Sequence, residues 1–359
     1  MNVTSQLHDF CQSVWLDNIT RTLLTSGTLS RYIQDFAVTG LTSNPSIFDQ
    51  ALGNSDCYDK AIQQKAHDGM SGETLFFELA LEDLTQAADL FRSIHDLTDG
   101  VDGWVSLEVS PLLAADTSAT VLAAKQLHEQ AQRPNLFIKI PGTPEGLPAI
   151  EESIFAGIPI NVTLLFSPAQ YLAAAEAYMR GIERRIKANL DPCVTSVASI
   201  FISRWDVAVN SQVAERLRNR LGIAMGQSTY RAYGELLHSP RWLKLVAAGA
   251  RQQRLLWAST GTKDPDASDT LYVEALAAPG TIDTIPEKTL LAFAEHGVLN
   301  SQLVTGGEAS SMELSHFIDA GIDIDALALQ LQREGAESFV KSWNKLLQRI
   351  EEKSVPVQL

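Results

Sequence analysis

Leu136-Phe137-Ile138-Lys139-Ile140-Pro141 is the stretch on which the fold turns. It reads as a strand of branched and aromatic residues with one lysine inside it. Pro141 cannot donate to a β-ladder, so the strand is expected to end there. Lys139 then stands one residue before a carboxyl-terminal strand end. Burying an ammonium is costly, so a lysine in such a run needs a reason. Strand carboxyl ends are where α/β barrels build active sites, and a desolvated lysine with a free amine is suited to attack carbonyls. A lysine at a strand end can equally snorkel to solvent. On this segment alone both readings stand.

Outward from this strand the same kind of run recurs. Val14–Leu16, Val38–Leu41, Trp104–Val109, Ile158–Thr163, Val194–Ser199, Leu255–Ala258 and Ile282–Ile285 bring the candidate strands to eight. Between and after them lie helical patterns at Glu73–Ser93, Ser118–Gln132, Ala169–Ala188, Arg204–Leu221, Gln227–Leu237, Glu287–Glu295 and Ile324–Leu347. Strands alternating with helices indicate βαβ units and a parallel sheet. Eight units suggest an α/β fold closed as a (β/α)8 TIM barrel. The rival is an open doubly wound sheet. No Gly-x-Gly-x-x-Gly follows a candidate strand and no P-loop lysine motif occurs, which favours the barrel. The 359 residues read as one barrel domain, 1–359, with helical insertions and C-terminal helices. Asp49–Gly72 reads as a polar, turn-rich excursion after the second strand, and Lys263–Thr270 as irregular. Ser167-Pro168 marks a helix start, serine as N-cap and proline in the first turn. The cations Arg184, Arg185 and Lys187 suit the other end of that helix and read as a solvated terminus.

Composition narrows the function classes. A net charge of −15 argues against a nucleic-acid surface, though local cations and helix N-termini can still hold a phosphate. No apolar run reaches the ~18 residues of a membrane span, and Met1–Gln12 has no basic segment followed by an apolar one, so no signal peptide is expected. Three scattered cysteines, Cys11, Cys57 and Cys193, fit neither a disulfide framework nor a zinc ribbon and read as reduced thiols in the cytoplasm. The seven histidines show no HExxH and no metal-ligand spacing, so no metal site is expected. The reading leaves a monomer or a homodimer.

Polar residues recur at the strand ends. Asp17 follows the first strand, and Thr42, Ser43 and Asn44 the second. Glu108 lies among Val105, Leu107 and Val109 and needs a buried partner. Asn161 and Thr163 end the fifth strand; Ser199 ends the sixth, with Phe201 and Arg204 close behind; Ser259, Thr260 and Lys263 follow the seventh. Asp17 and Asn44 also suit helix caps or turns, and Arg204 a surface position in a first helical turn. In a barrel, however, these ends converge on one face. An amine among carboxylates there could form an iminium with a ketone, an electron sink that lets a neighbouring C–C bond break, without metal or cofactor.

With these residues in hand, the sequence resembles the transaldolase family, Schiff-base-forming barrel enzymes of the pentose phosphate pathway, in its longer bacterial branch. The resemblance runs from about Val14 to about Ile285. It rests on Leu41-Thr42-Ser43-Asn44-Pro45-Ser46, Val105-Ser106-Leu107-Glu108-Val109, Phe137-Ile138-Lys139-Ile140-Pro141, Ile160-Asn161-Val162-Thr163-Leu164-Leu165-Phe166-Ser167, Ser199-Ile200-Phe201-Ile202-Ser203-Arg204 and Trp257-Ala258-Ser259-Thr260, in that order and spacing. It implies sugar phosphate substrates and transfer of a dihydroxyacetone unit. Lys139 would be the nucleophile and Asp17 would take and return the C4 hydroxyl proton. Glu108 and Thr163 would hold a catalytic water, and Asn44 and Asn161 the dihydroxyacetone hydroxyls. Ser199 and Arg204 would hold the phosphate, with Phe201 shaping the pocket. Many members carry a second phosphate-binding arginine after the seventh strand; here Lys263 is the candidate, without arginine's bidentate fork. A related group, the fructose-6-phosphate aldolases, releases free dihydroxyacetone and tends to have tyrosine where this chain has Phe201.

Overall fold

In the computed structural model, which describes residues 3–299, 303 and 308–355, eight parallel strands close into a barrel in sequence order. They are β1 Ser13–Asp17, β2 Val38–Thr42, β3 Val105–Glu108, β4 Leu136–Pro141, β5 Ile160–Leu165, β6 Ser196–Phe201, β7 Arg254–Ala258 and β8 Ile282–Ile285. All eight expected strands are present. β5 and β6 begin two residues later than expected, so Phe201 belongs to its strand rather than following it. β4 keeps Pro141 as its last residue, because the ladder continues past it: the Gly142 N–H donates to Thr163 O at 2.7 Å.

Strand alternation sorts the side chains. Leu136, Ile138 and Ile140 join the layer between barrel and helices. Phe137 faces inward with Trp15, Val197, Leu256 and Ile282, and Lys139, two residues on, shares its face. Trp15 fills the lower barrel because β2 carries Gly40, where a Cβ would lie 2.7 Å from Trp15 Nε1 and from Trp104 O. The Trp15 Nε1–H donates to Asp102 at 2.7 Å, so its polar atom is satisfied. Trp15 and Trp104 pack against Phe137 to form a floor beneath the carboxyl end of the barrel.

Two expectations about the connections fail. The helix expected over Arg204–Leu221 is three pieces, Ser203–Val209, a 3₁₀ turn Glu215–Leu217 and Leu221–Leu237. Asp206 explains the break. Its Oδ1 accepts the Leu221 N–H (2.9 Å) and its Oδ2 the Gly222 N–H (3.2 Å) and the Tyr272 hydroxyl (2.8 Å), which caps a new helix. The supposedly turn-rich Asp49–Gly72 lies largely in helices Pro45–Asn54 and Asp59–His67, too short for a clear 3.6-residue pattern. The Ser167 cap is as expected: its Oγ accepts the Gln170 N–H at 3.2 Å. The basic end of that helix is not merely solvated, since Arg184 pairs with Glu151 and Glu152 of the preceding helix Leu147–Ala156. Lys263–Thr270 is irregular as expected.

Asp283 is a buried carboxylate on the outer face of β8. Asp283 pairs in register with Val14 and Trp257, and neither of its oxygens accepts a hydrogen bond from a described residue. Burial pushes its pKa up to about 7. A carboxyl raised in the folded state stabilises the fold fully below its unfolded pKa, and this contribution is lost as pH rises through the folded value. Asp283→Asn should therefore be more stable than the parent at pH 8, by up to roughly 4 kcal/mol, and melt at a higher temperature, with the gap closing towards pH 4. Thermal unfolding across that range checks it; a variant less stable at both ends would contradict the assignment.

Among the described residues no helix is long and apolar enough to cross a membrane. No group of three metal-ligating His, Cys, Asp or Glu side chains occurs among them.

Candidate active site

The inner faces of β3, β4 and β5 put three polar residues side by side, since Glu108 pairs with Lys139 and Lys139 with Asn161 in register. Lys139 is 5 % exposed. Its Nζ donates to Ser43 O at 2.9 Å and stands 3.4 Å from Glu108 Oε2. Glu108 thus has the buried partner that its apolar surroundings demand. The contact is electrostatic rather than a hydrogen bond, and neither carboxylate oxygen accepts one. Burial raises the pKa of Glu108, against the opposing pull of Lys139. Such a carboxyl is poised to give or take a proton beside the amine.

Asp17 reaches the same cavity from β1. Thr42 Oγ donates to Asp17 Oδ1 at 2.9 Å and lies 2.6 Å from Thr284 Oγ. Because Thr42 spends its proton on Asp17, Thr284 must donate to Thr42. The relay fixes the carboxylate while leaving it partly exposed to the cavity. Burial raises the pKa of Asp17, and the charge of Lys139 chiefly opposes the rise.

β5 carries an irregularity that shapes the site. Leu164 adopts φ 60°, and the pairing with β6 shifts between Val162 and Leu165. This bulge ends the regular ladder next to Thr163, whose buried hydroxyl has no partner among the described residues. Below it, Asn161 Nδ2 donates to Ser106 Oγ (3.1 Å) and its Oδ1 accepts from Ser199 Oγ (2.7 Å). The cap reading of Asn44 holds, and the residue also lines the cavity. Its Oδ1 caps helix Pro45–Asn54 by accepting the Ile47 N–H at 3.1 Å, while its Nδ2 donates to no described protein group and faces the cavity.

Arg204 is held at the opposite side. It forms neither a hydrogen bond nor an ion pair with any described residue, and its guanidinium lies 4.9 Å from the Phe201 ring centroid. Burial lowers its pKa. The charges of Glu108 and Glu334 oppose that shift, although neither carboxylate pairs with the guanidinium directly. Ser199 and Lys263 line the same cavity, Lys263 exposed at the rim.

All ten residues singled out from the sequence converge on the carboxyl end of the barrel. Eight of them line the cavity, and Glu108 and Asn161 lie beneath it. Sequence reasoning missed the supports: Thr284, Ser106 and the Ser43 carbonyl. It also missed Phe339, brought to the cavity by the C-terminal helix Ile324–Ser354. A lone threonine in a four-residue strand or one phenylalanine in a helical stripe carries no signal of its own.

Comparison with known proteins agrees with this geometry. The profile of the transaldolase/fructose-6-phosphate aldolase family matches residues 14–350. The chain is 44 % identical over 354 residues to a protein of Thermobifida fusca named transaldolase, covering 96 % of each. It is 42 % identical over 358 residues to one of Thiobacillus denitrificans, covering 98 % of this chain and 100 % of the relative. A third, from Mycolicibacterium smegmatis, is 43 % identical over 344 residues, with 93 % of each covered. All three are named transaldolase. The chain therefore belongs to the transaldolase/fructose-6-phosphate aldolase family.

Proposed function

We propose that this protein is a transaldolase that moves a dihydroxyacetone unit from sedoheptulose 7-phosphate to glyceraldehyde 3-phosphate, giving erythrose 4-phosphate and fructose 6-phosphate. The observation that carries the reading is the buried Lys139 amine, 3.4 Å from a carboxylate of raised pKa. Lys139 attacks the donor ketone to form a carbinolamine. Glu108, with Thr163, handles the protons and the water as this becomes an iminium. Asp17 then accepts the C4 hydroxyl proton, the C3–C4 bond breaks, and the electron pair passes into the iminium to leave an enamine on Lys139. The first aldose departs. The enamine attacks the aldehyde carbon of the second aldose, Asp17 returns the proton to the new hydroxyl, and hydrolysis frees the lysine.

Asn44 and Asn161 hold the dihydroxyacetone hydroxyls, and Ser199, Arg204 and Lys263 the phosphate. Phe201 and Phe339 present apolar surface to the cavity, which supports protection of the enamine until an acceptor arrives. Three exposed free cysteines support action in a reducing compartment, the cytoplasm.

The test supplies fructose 6-phosphate with and without erythrose 4-phosphate. Sedoheptulose 7-phosphate formed only with the acceptor is the expected result. Free dihydroxyacetone released without it would make the enzyme an aldolase instead.

A further inference from the structure

The 31-residue helix Ile324–Ser354 crosses the open end of the barrel. Its buried stripe includes Gln332, Gly335 and Phe339. Glycine is a poor residue for a helix interior, so its presence there calls for a reason. Gly335 sits where the helix backbone presses on the phosphate end of the cavity. A Cβ added to it would lie 2.9 Å from Leu164 Cδ2 and 3.0 Å from Arg204 Nη1. Both separations are shorter than ordinary packing, so one partner would have to move.

The helix is poorly placed to be the partner that yields. On one side of Gly335, Gln332 Nε2 donates to Gly142 O (3.1 Å) and Leu164 O (2.9 Å), tying the helix to the ends of β4 and β5. On the other side, Trp343 Nε1 donates to Glu73 at 2.7 Å and Arg349 pairs with Asp49 at 2.8 Å. Leu164 is fully buried in the inner apolar cluster, so its side chain has little room to yield. Arg204 has no hydrogen bond to hold it, so a side chain at 335 acts mainly on the guanidinium.

We infer that Gly335 is a specificity-determining position: its bare Cα leaves room for Arg204 to reach the terminal phosphate monoester of a ketose donor. The inference rests on the function proposed above. Gly335 acts through Arg204 and touches no reacting atom. It sets how well the enzyme distinguishes phosphorylated from unphosphorylated ketoses.

The experiment compares the full-length parent with Gly335→Ala and Gly335→Val. It uses fructose 6-phosphate and unphosphorylated fructose as donors, and inorganic phosphate as a competitive inhibitor. A glycine that serves packing alone would give an alanine variant that melts lower and is kinetically unchanged with both donors. The inference expects KM for fructose 6-phosphate to rise stepwise, about threefold for alanine and tenfold or more for valine, with kcat within about twofold. The phosphate inhibition constant rises in parallel, and kcat/KM for fructose does not change. Melting curves identify a valine variant that fails to fold, in which case alanine alone carries the test. Equal loss with both donors, or no change with either, overturns the inference. If phosphate does not inhibit the parent, it is the underlying phosphate site that fails. If parent and variants are inhibited alike, the site stands and the role of Gly335 fails.

Discussion

Lys139→Met should abolish transfer while the protein remains folded, with kcat lower by roughly 10⁴-fold or more, because the variant has no amine with which to form the covalent intermediate. Methionine replaces the buried stem of the lysine with a chain of similar length. The partner left behind is Glu108, a carboxyl whose pKa burial already raises. It can take up a proton instead of standing as an unpaired buried charge. The melting temperature should therefore stay near that of the parent. Donor-acceptor turnover and thermal unfolding, measured on one preparation, check both halves. Activity within tenfold of the parent would remove Lys139 from the chemistry. A collapse of the fold would mean that the pair with Glu108 is structural.

The second large effect is expected at Arg204, and there function and stability part. Arg204→Ala should raise KM for fructose 6-phosphate roughly 100-fold, the loss of two charge-assisted hydrogen bonds at about 1.5 kcal/mol each. kcat should change far less, because the phosphate lies away from the bond that breaks. Arg204 is half-buried and forms no ion pair with a described carboxylate, with the charges of Glu108 and Glu334 only partly offsetting its desolvation. Removing it relieves an unfavourable burial, so the variant should melt no lower than the parent despite the lost contact with Phe201. Steady-state kinetics with fructose 6-phosphate and a melting curve separate the two effects. An unchanged KM would take Arg204 out of the phosphate site, and a sharp drop in melting temperature would make it a structural cation.

These two residues also show what could be read from the sequence. Lys139 announced itself because a lysine inside an apolar strand contradicts its own surroundings, and Glu108 did so for the same reason. The eight strands were legible because short apolar runs separated by helical patterns have few other solutions. Arg204 was visible only as part of a motif, since nothing in a first-turn arginine says that its guanidinium will be left without a partner. Asp206 misled the reading. Its neighbours continue a helical pattern, and only the folded chain shows the carboxylate turning to cap a second helix. The C-terminal helix was legible as a helix over Ile324–Leu347 and not as a wall of the site. Its stripe of Gln332, Gly335 and Phe339 meets the barrel more than 100 residues away in sequence, and period alone does not say which face a helix covers. Thr284 and Thr42 reinforce Asp17 through side chains that alternate on adjacent strands, a relation that appears only once the barrel closes.

A Schiff base on Lys139 can be trapped by reduction with borohydride. The parent enzyme is incubated with fructose 6-phosphate, reduced with borohydride, digested and mapped by mass spectrometry. One modified peptide is expected, carrying a reduced dihydroxyacetone adduct on Lys139. An adduct on Lys263 or any other lysine, or none while the enzyme turns over, would contradict a Schiff base on Lys139.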